Sequence, residues 1–221
     1  MERLPDGFRI TEDSLVLPDG SEVEITPMPA DNQFPSIFES SCRRPAAPNE
    51  LQIVQRYTIN IMLSGPGGSL DFAAGMMQAA GALIDAGGAG VFIDNCGLAH
   101  GGDFWNQMTL DGSSDALSFA FVGIVRGDQQ VYTMGMHVLG FPELLMRRAD
   151  ADANKDAIIE VIRYVAASEK PIGDGHLLAD EQGPRFQTVA MPAQNFEADS
   201  PMFNPLGMLK LVNIKDIASG N

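Results

Sequence analysis

Apolar residues recur along this chain at two spacings, and each spacing predicts one kind of element. In residues 51–63, "LQIVQRYTINIML", apolar positions alternate with polar ones, which indicates a β-strand. Residues 70–84 repeat apolar positions every three or four residues, which is typical of an amphipathic helix. Ser69 precedes this helix as an N-cap, and Gly87-Gly88 marks its end.

The rest of the chain continues the same mixture of strand and helix patterns. The predicted elements are a strand at 89–95, a short helix at 101–108, an antiparallel strand pair within 117–140, a helix at 154–169 and strands at 185–192 and 206–214. This order favours an α+β fold, a twisted mixed or antiparallel sheet with helices packed on one face. The predicted core residues are Ile59, Ile61, Leu63, Met77, Leu83, Phe92, Phe121, Ile158 and Ile162.

Residues 1–50 are irregular and rich in proline. Pro18-Asp19-Gly20 lies between alternating apolar positions, so residues 14–26 are predicted to form a β-hairpin. A short helix can begin at Pro35. We expect an irregular N-terminal arm with a hairpin extension over residues 1–50 and a single α+β domain over residues 51–221.

The chain is strongly acidic, with 14 Lys and Arg against 29 Asp and Glu in 221 residues and a formal net charge of −15. Such a surface repels nucleic-acid phosphates and anionic lipid, so we expect neither nucleic acid nor a membrane as a partner. A basic partner protein suits this charge, and a homo-oligomer is a further option. The apolar runs are also too short to predict a membrane span.

The two cysteines give no sign of a disulfide framework. Cys42 and Cys96 are far apart, form no CxxC pair and have no histidine at zinc-ligand spacing. The first residues, "MERLPDGFRI", lack the pattern of a signal peptide. These features predict a cytoplasmic protein of bacterial type.

A glycine-rich turn, "SGPGGS" at residues 64–69, lies between a predicted strand and a predicted helix. A P-loop requires a lysine at the end of the glycine stretch, and a dinucleotide fingerprint requires GxGxxG spacing; this turn has neither. We therefore expect a structural elbow in which one or more glycines adopt positive φ and Ser69 caps the helix.

The same stretch resembles the "SPGGS" turn of Clp-type serine proteases, which forms their oxyanion hole. The resemblance implies a nucleophilic serine after the next strand, but "NCGLAHGGDFW" has no serine there. Cys96 as nucleophile and His100 as base are the substitutes, and a pocket between the two stretches would also hold Ser64, Ser69 and Asp103. These residues are the candidate catalytic set of a hydrolase-like enzyme.

Four polar residues are spaced like the start of a calcium loop: Asp150, Asp152, Asn154 and Asp156. Calcium loops place a glycine at position six and a bidentate glutamate at position twelve, where this chain has lysine and valine. The acids are therefore predicted to lie in a solvated helix start, and we expect neither a metal nor a cofactor.

The segment "YTMGMHVLGFPELLMRR" resembles the G-[LM]-x-x-x-G-x-P-[ED]-L segment of uncharacterised bacterial domains. The resemblance covers about residues 51–214, and some of these relatives are suspected immunity or accessory proteins that bind another protein. It implies a non-catalytic binding protein, and the hydrolase described above is the alternative.

Overall fold

The computed structural model describes residues 4–153, 157–168, 170–180 and 183–218. Helices and strands alternate along most of it. The helices are α1 (Phe34–Ser41), α2 (Pro48–Val54), α3 (Leu70–Asp85), α4 (Gly102–Asp111), α5 (Ser114–Phe121), α6 (Arg148–Ala153), α7 (Ala157–Ala167) and α8 (Ile214–Ala218). No helix in these residues is long and apolar enough to cross a bilayer.

The strands divide into three sheets, and the α+β class is confirmed. The first sheet is antiparallel, in the order β1 (Arg9–Ile10), β2 (Ser14–Val16), β3 (Glu22–Pro29) and β4 (Ile59–Ser64). The second is a two-stranded antiparallel sheet of β5 (Gly90–Ile93) and β6 (Leu98–Gly101). The third has six strands, β7 (Gly123–Arg126), β8 (Gln130–Met134), β9 (Glu143–Arg147), β10 (Leu177–Asp180), β11 (Gly183–Met191) and β12 (Met208–Asn213).

The six-stranded sheet has the order β10-β11-β12-β9-β8-β7. β12 and β9 are parallel, and the other neighbours are antiparallel, so the sheet is mixed. The main apolar cluster joins its residues to those of α3, α5 and α7, including Leu144, Met77 and Ile158. A smaller cluster under the first sheet contains Leu15 and Val23.

The predicted core is confirmed in part. Met77, Phe121, Ile158 and Ile162 are buried, and Leu63, Leu83 and Phe92 are half-buried. Ile59 and Ile61 are exposed, so their placement in the core is wrong. Alternation identifies a strand, but it does not say whether anything covers the apolar face.

Three local predictions are also wrong. Residues 51–54 belong to helix α2 rather than to a strand, because Pro48 starts the helix and the Glu50 carboxylate accepts from the Ala47 N–H at 2.6 Å. Residues 117–121 are helical because Ser113 caps α5. Residues 136–139 form a 3₁₀ turn.

The hairpin and the short helix in the first 50 residues are confirmed. Residues 24–29 of strand β3 pair with residues 59–64 of β4. The Glu50 carboxylate accepts a hydrogen bond from the Asp103 N–H at 2.8 Å, at the start of α4. The division at residue 50 stays a prediction, although the two sides share a sheet and a helix cap.

Candidate functional site

The "SGPGGS" stretch has the geometry predicted for an elbow. Gly68 has a φ of +87°, and the Ser69 hydroxyl accepts a hydrogen bond from the Phe72 N–H at 3.1 Å. The Gly68 N–H donates to the Val138 carbonyl at 3.0 Å. The elbow is therefore seated on the 3₁₀ turn of residues 136–139, which the sequence placed in a strand.

The carboxylate of Glu143 holds this turn in place from inside the protein. Its Oε1 accepts from the Gly135 N–H at 3.1 Å, from the Met136 N–H at 3.0 Å and from Asn204 Nδ2 at 2.9 Å. Its Oε2 accepts from the Thr133 hydroxyl at 2.6 Å. Four donors on one buried carboxylate satisfy its hydrogen-bonding capacity and make it a structural anchor.

His137 extends this anchor to two other loops. Its Nδ1 lies 3.5 Å from Glu143 Oε1, and its Nε2 lies 3.1 Å from the Pro201 carbonyl and 3.2 Å from Asn95 Nδ2. Both ring nitrogens thus face protein partners rather than an open pocket. The sequence identifies this segment by its resemblance and predicts no role for Glu143. The available signal is an acidic residue at the start of the run "ELLM" in a buried strand.

Among the described residues, the five proposed for a hydrolase differ in burial and are not joined by hydrogen bonds, although several are close in sequence. Cys96 is 2% exposed and His100 is 1% exposed. Asp103 is exposed, and Ser64 and Ser69 are half-buried. No hydrogen bond joins any two of these five residues, all of which the structure describes.

Burial also suppresses the reactivity of Cys96 and His100. It raises the pKa of the Cys96 thiol to about 12, so the thiolate is scarce at neutral pH. It lowers the pKa of His100 to about 4, and the ring Nε2 lies 3.0 Å from the Ala120 carbonyl. Trp105, Phe104 and Phe119 pack around the ring. A nucleophile–base contact is therefore missing among these described residues, and their catalytic role stays a prediction.

The acidic series beside β9 is partly outside the described residues, which exclude Asn154 and Asp156. Asp150 accepts from Arg147 Nε at 2.8 Å, and both oxygens of Asp152 accept from Arg148 Nε at 2.8 and 2.9 Å. These two carboxylates are thus engaged with arginines on the surface.

Outside these buried networks, the surface has a prominent apolar feature at the end of the first sheet. We call residues 26–29 of β3 and 59–62 of β4 the β3–β4 ribbon. Four large apolar side chains on it are exposed: Ile59 at 55%, Ile61 at 41%, Met28 at 41% and Met62 at 40%. The two isoleucines lie on one face of the ribbon and the two methionines on the other. Large apolar side chains exposed together are a feature of interaction sites.

The strand register sets which side chains share a face of the ribbon. Ile61 lies opposite Pro27, and Ile59 lies opposite Pro29. Directly opposite residues point to the same face, so the two isoleucines and the two prolines form one apolar surface. The next pair along this face is Ile25 and Leu63, which pack against the smaller core cluster. The exposed surface thus continues the core outward.

The first sheet is also acidic. From Arg9 to Pro29 the chain has five acidic residues and one arginine. Glu24 is exposed opposite Ser64, at one end of β4. Exposed Asp31 follows β3 at the other end of the ribbon. A ribbon with negative charge near both of its ends favours a partner with positive charge.

No family model matches the chain, and searches of curated proteins and of solved structures return no match. Function therefore has to be inferred from the geometry and chemistry of the described residues.

Proposed function

We propose that this chain is a non-catalytic protein that binds another, positively charged protein through the β3–β4 ribbon. The observation that carries the proposal is the exposed apolar face formed by Ile59 and Ile61 on two paired strands of an acidic sheet, with Met28 and Met62 exposed on the opposite face. Such a surface gains free energy when a partner covers it, at about 25 cal/mol for each Å² of apolar area buried.

The alternative, a hydrolase using Cys96 and His100, has less support. Both side chains are buried. Burial raises the pKa of the Cys96 thiol and lowers the pKa of His100, so both groups are neutral at pH 7. Ser69 is used as a helix cap. A hydrolytic site requires a nucleophile in contact with its base, and no such contact joins these described residues.

We place the protein in the cytoplasm, which agrees with two free thiols at Cys42 and Cys96. The resemblance of residues 132–148 to a segment of uncharacterised bacterial domains suggests an immunity or accessory role. In such a role, binding alone is the activity.

The test is selection of binders from a random peptide library displayed on phage, with the immobilised protein as bait. The matched bait is the double variant Ile59→Ser/Ile61→Ser, whose side chains contribute little to the core. We expect the wild-type protein to enrich peptides rich in Lys and Arg that bind the double variant at least about tenfold more weakly, a difference of about 1.4 kcal/mol.

Two results would contradict the proposal. One is the absence of any enriched peptide. The other is enrichment of peptides that bind the folded double variant as well as they bind the wild type. Circular dichroism of both baits establishes that the variant is folded.

A further inference from the structure

We infer that the partner supplies an extended, positively charged segment that pairs with the outer edge of β4 as a fifth strand of the first sheet. This inference rests on the proposed function and adds the mode of binding. The first sheet has the order β1-β2-β3-β4, so β4 is its terminal strand. Its partner in the sheet is β3, and no other strand among the described residues pairs with the opposite edge of β4.

The prolines of β3 show which backbone groups of β4 point outward. Proline has no N–H, so Pro27 and Pro29 cannot donate to β4. In an antiparallel ladder, hydrogen-bonded and non-hydrogen-bonded pairs alternate. Ile25 fits the same alternation. Its N–H donates at 2.8 Å to the Asp13 carbonyl, away from β4.

The facing residues of β4 therefore belong to non-hydrogen-bonded pairs. Ile59 lies opposite Pro29, Ile61 opposite Pro27 and Leu63 opposite Ile25. The N–H and C=O groups of these β4 residues point away from β3, towards the open edge. Asn60 and Met62 alternate with them and point their backbone groups towards β3.

The two edges of the ribbon differ in their protection. β2 pairs with β3 only as far as Glu24, and beyond that point Pro27 and Pro29 leave no N–H for another strand to use. The outer edge of β4 has isoleucines at the corresponding positions and no proline or charged residue in "INIMLS". One edge is closed to strand addition and the other is open.

The side chains specify what the added segment contains. Its residues on the Ile59–Ile61 face would meet apolar surface, so they should be apolar. Glu24 and Asp31 lie near the two ends of the ribbon and favour Lys or Arg at the ends of the segment. A second copy of this chain fits less well, since its own charge of −15 repels the first.

The test uses three synthetic nine-residue probes and isothermal titration calorimetry at low salt. The basic probe is Lys-Val-Lys-Val-Lys-Val-Lys-Val-Lys, the acidic probe replaces each Lys with Glu, and the third is the basic probe with N-methyl groups on its valines. We expect the basic probe to bind at least about tenfold more tightly than either of the others, because charge and backbone donors are both required.

Matched proline variants separate strand addition from contact through side chains. Ile61→Pro removes an outward N–H together with the side chain, and it should bind the basic probe about tenfold more weakly than Ile61→Ala does, while the fold is kept, as Pro27 is tolerated opposite. Ile61→Ala keeps the N–H and removes the side chain, so it reports side-chain contact alone. Size-exclusion chromatography with light scattering gives the oligomeric state.

Each outcome decides between the two claims. Equal affinity of Ile61→Pro and Ile61→Ala for the basic probe overturns strand addition. The proposed function is kept in that case if both variants bind the probe more weakly than the wild type does. No binding of the basic probe overturns strand addition; the proposed function then stands or falls with the peptide selection. A concentration-dependent dimer that Ile61→Pro abolishes overturns the inference in favour of a second copy.

Discussion

The two larger sheets of this protein differ in how far their side chains and strand edges are covered. In the six-stranded sheet, four of the five residues of β9 are buried, and its Glu143 carboxylate accepts from four donors. In the first sheet, β4 is the last strand, with two exposed isoleucines and an outer edge that no strand of the described residues pairs with. The first arrangement is explained by folding alone, and the second is not.

This difference separates stability from function. A buried carboxylate with all its donors stabilises one backbone arrangement, here the turn at residues 135–139 that supports the elbow. Exposed apolar residues on an open strand add little to the fold and leave a surface prone to pairing. We propose that a partner covers this edge.

The largest expected effect is on the buried carboxylate. Glu143→Ala leaves the Gly135 and Met136 N–H groups without an acceptor and should lower the free energy of unfolding by about 3–5 kcal/mol, measured by urea titration. The control is Glu24→Ala, at an exposed carboxylate of the first sheet, with an expected change within about 0.5 kcal/mol. Similar losses in both variants would contradict the contrast between the sheets.

A matched pair of isoleucines tests the same contrast for apolar residues. Ile158→Ala, in the core, should cost about 2–5 kcal/mol, because it removes a buried side chain and leaves a cavity. Ile59→Ala, on the ribbon, should cost less than about 1 kcal/mol, because half of that side chain is already in water. A large loss for Ile59→Ala, measured by the same titration, would place the ribbon in the core.

The buried imidazole of His100 should make stability depend on pH. Its folded pKa of about 4 lies below the usual 6.5, so between these values the unfolded chain binds a proton that the folded chain does not. The stability that the neutral ring contributes is fully present above about pH 6.5 and is lost as the pH falls towards 4.

The size of this effect is measurable against a variant. Between pH 7 and pH 5 the wild type should lose about 2 kcal/mol more unfolding free energy than His100→Gln, which has no titrating ring. Urea titrations of both proteins at several pH values give the difference. Parallel pH profiles for the two proteins would show that the ring is not buried in its neutral form.

The smallest stability effect concerns the elbow, where two neighbouring glycines differ. Gly68→Ala should cost about 1–2 kcal/mol, because Gly68 has a φ of +87° and no crowding atom that would add to this strain. Gly67→Ala should be nearly neutral, since its φ is not in that region and a β-carbon there would meet nothing closer than 4.0 Å. Equal costs would contradict the elbow geometry.

Local chemistry made some of these features predictable. The cap at Ser69 and the positive φ in the elbow follow from residues that are adjacent in the chain. The α3 helix follows in the same way from its apolar spacing. In each case the interacting groups lie within one or two turns of each other, so the sequence contains the whole interaction.

Features that depend on distant residues could not be predicted in this way. The donors to Glu143 come from Thr133, from the turn and from Asn204, which folding alone brings together. The exposure of Ile59 and Ile61 depends on what covers β4, which alternation does not encode. His100 lies between a predicted strand and a predicted helix, but the structure has it in β6 opposite Val91, where aromatic side chains bury it.

Residue-resolved amide hydrogen exchange along β4 tests the open edge most directly. In the free protein, the amides of Ile59 and Ile61 should exchange fast and those of Asn60 and Met62 slowly, because only the latter donate to β3. Addition of the basic lysine–valine probe should then slow Ile59 and Ile61. Slow exchange at Ile59 and Ile61 in the free monomer would contradict the open edge, and so would protection by the probe confined to other parts of the protein.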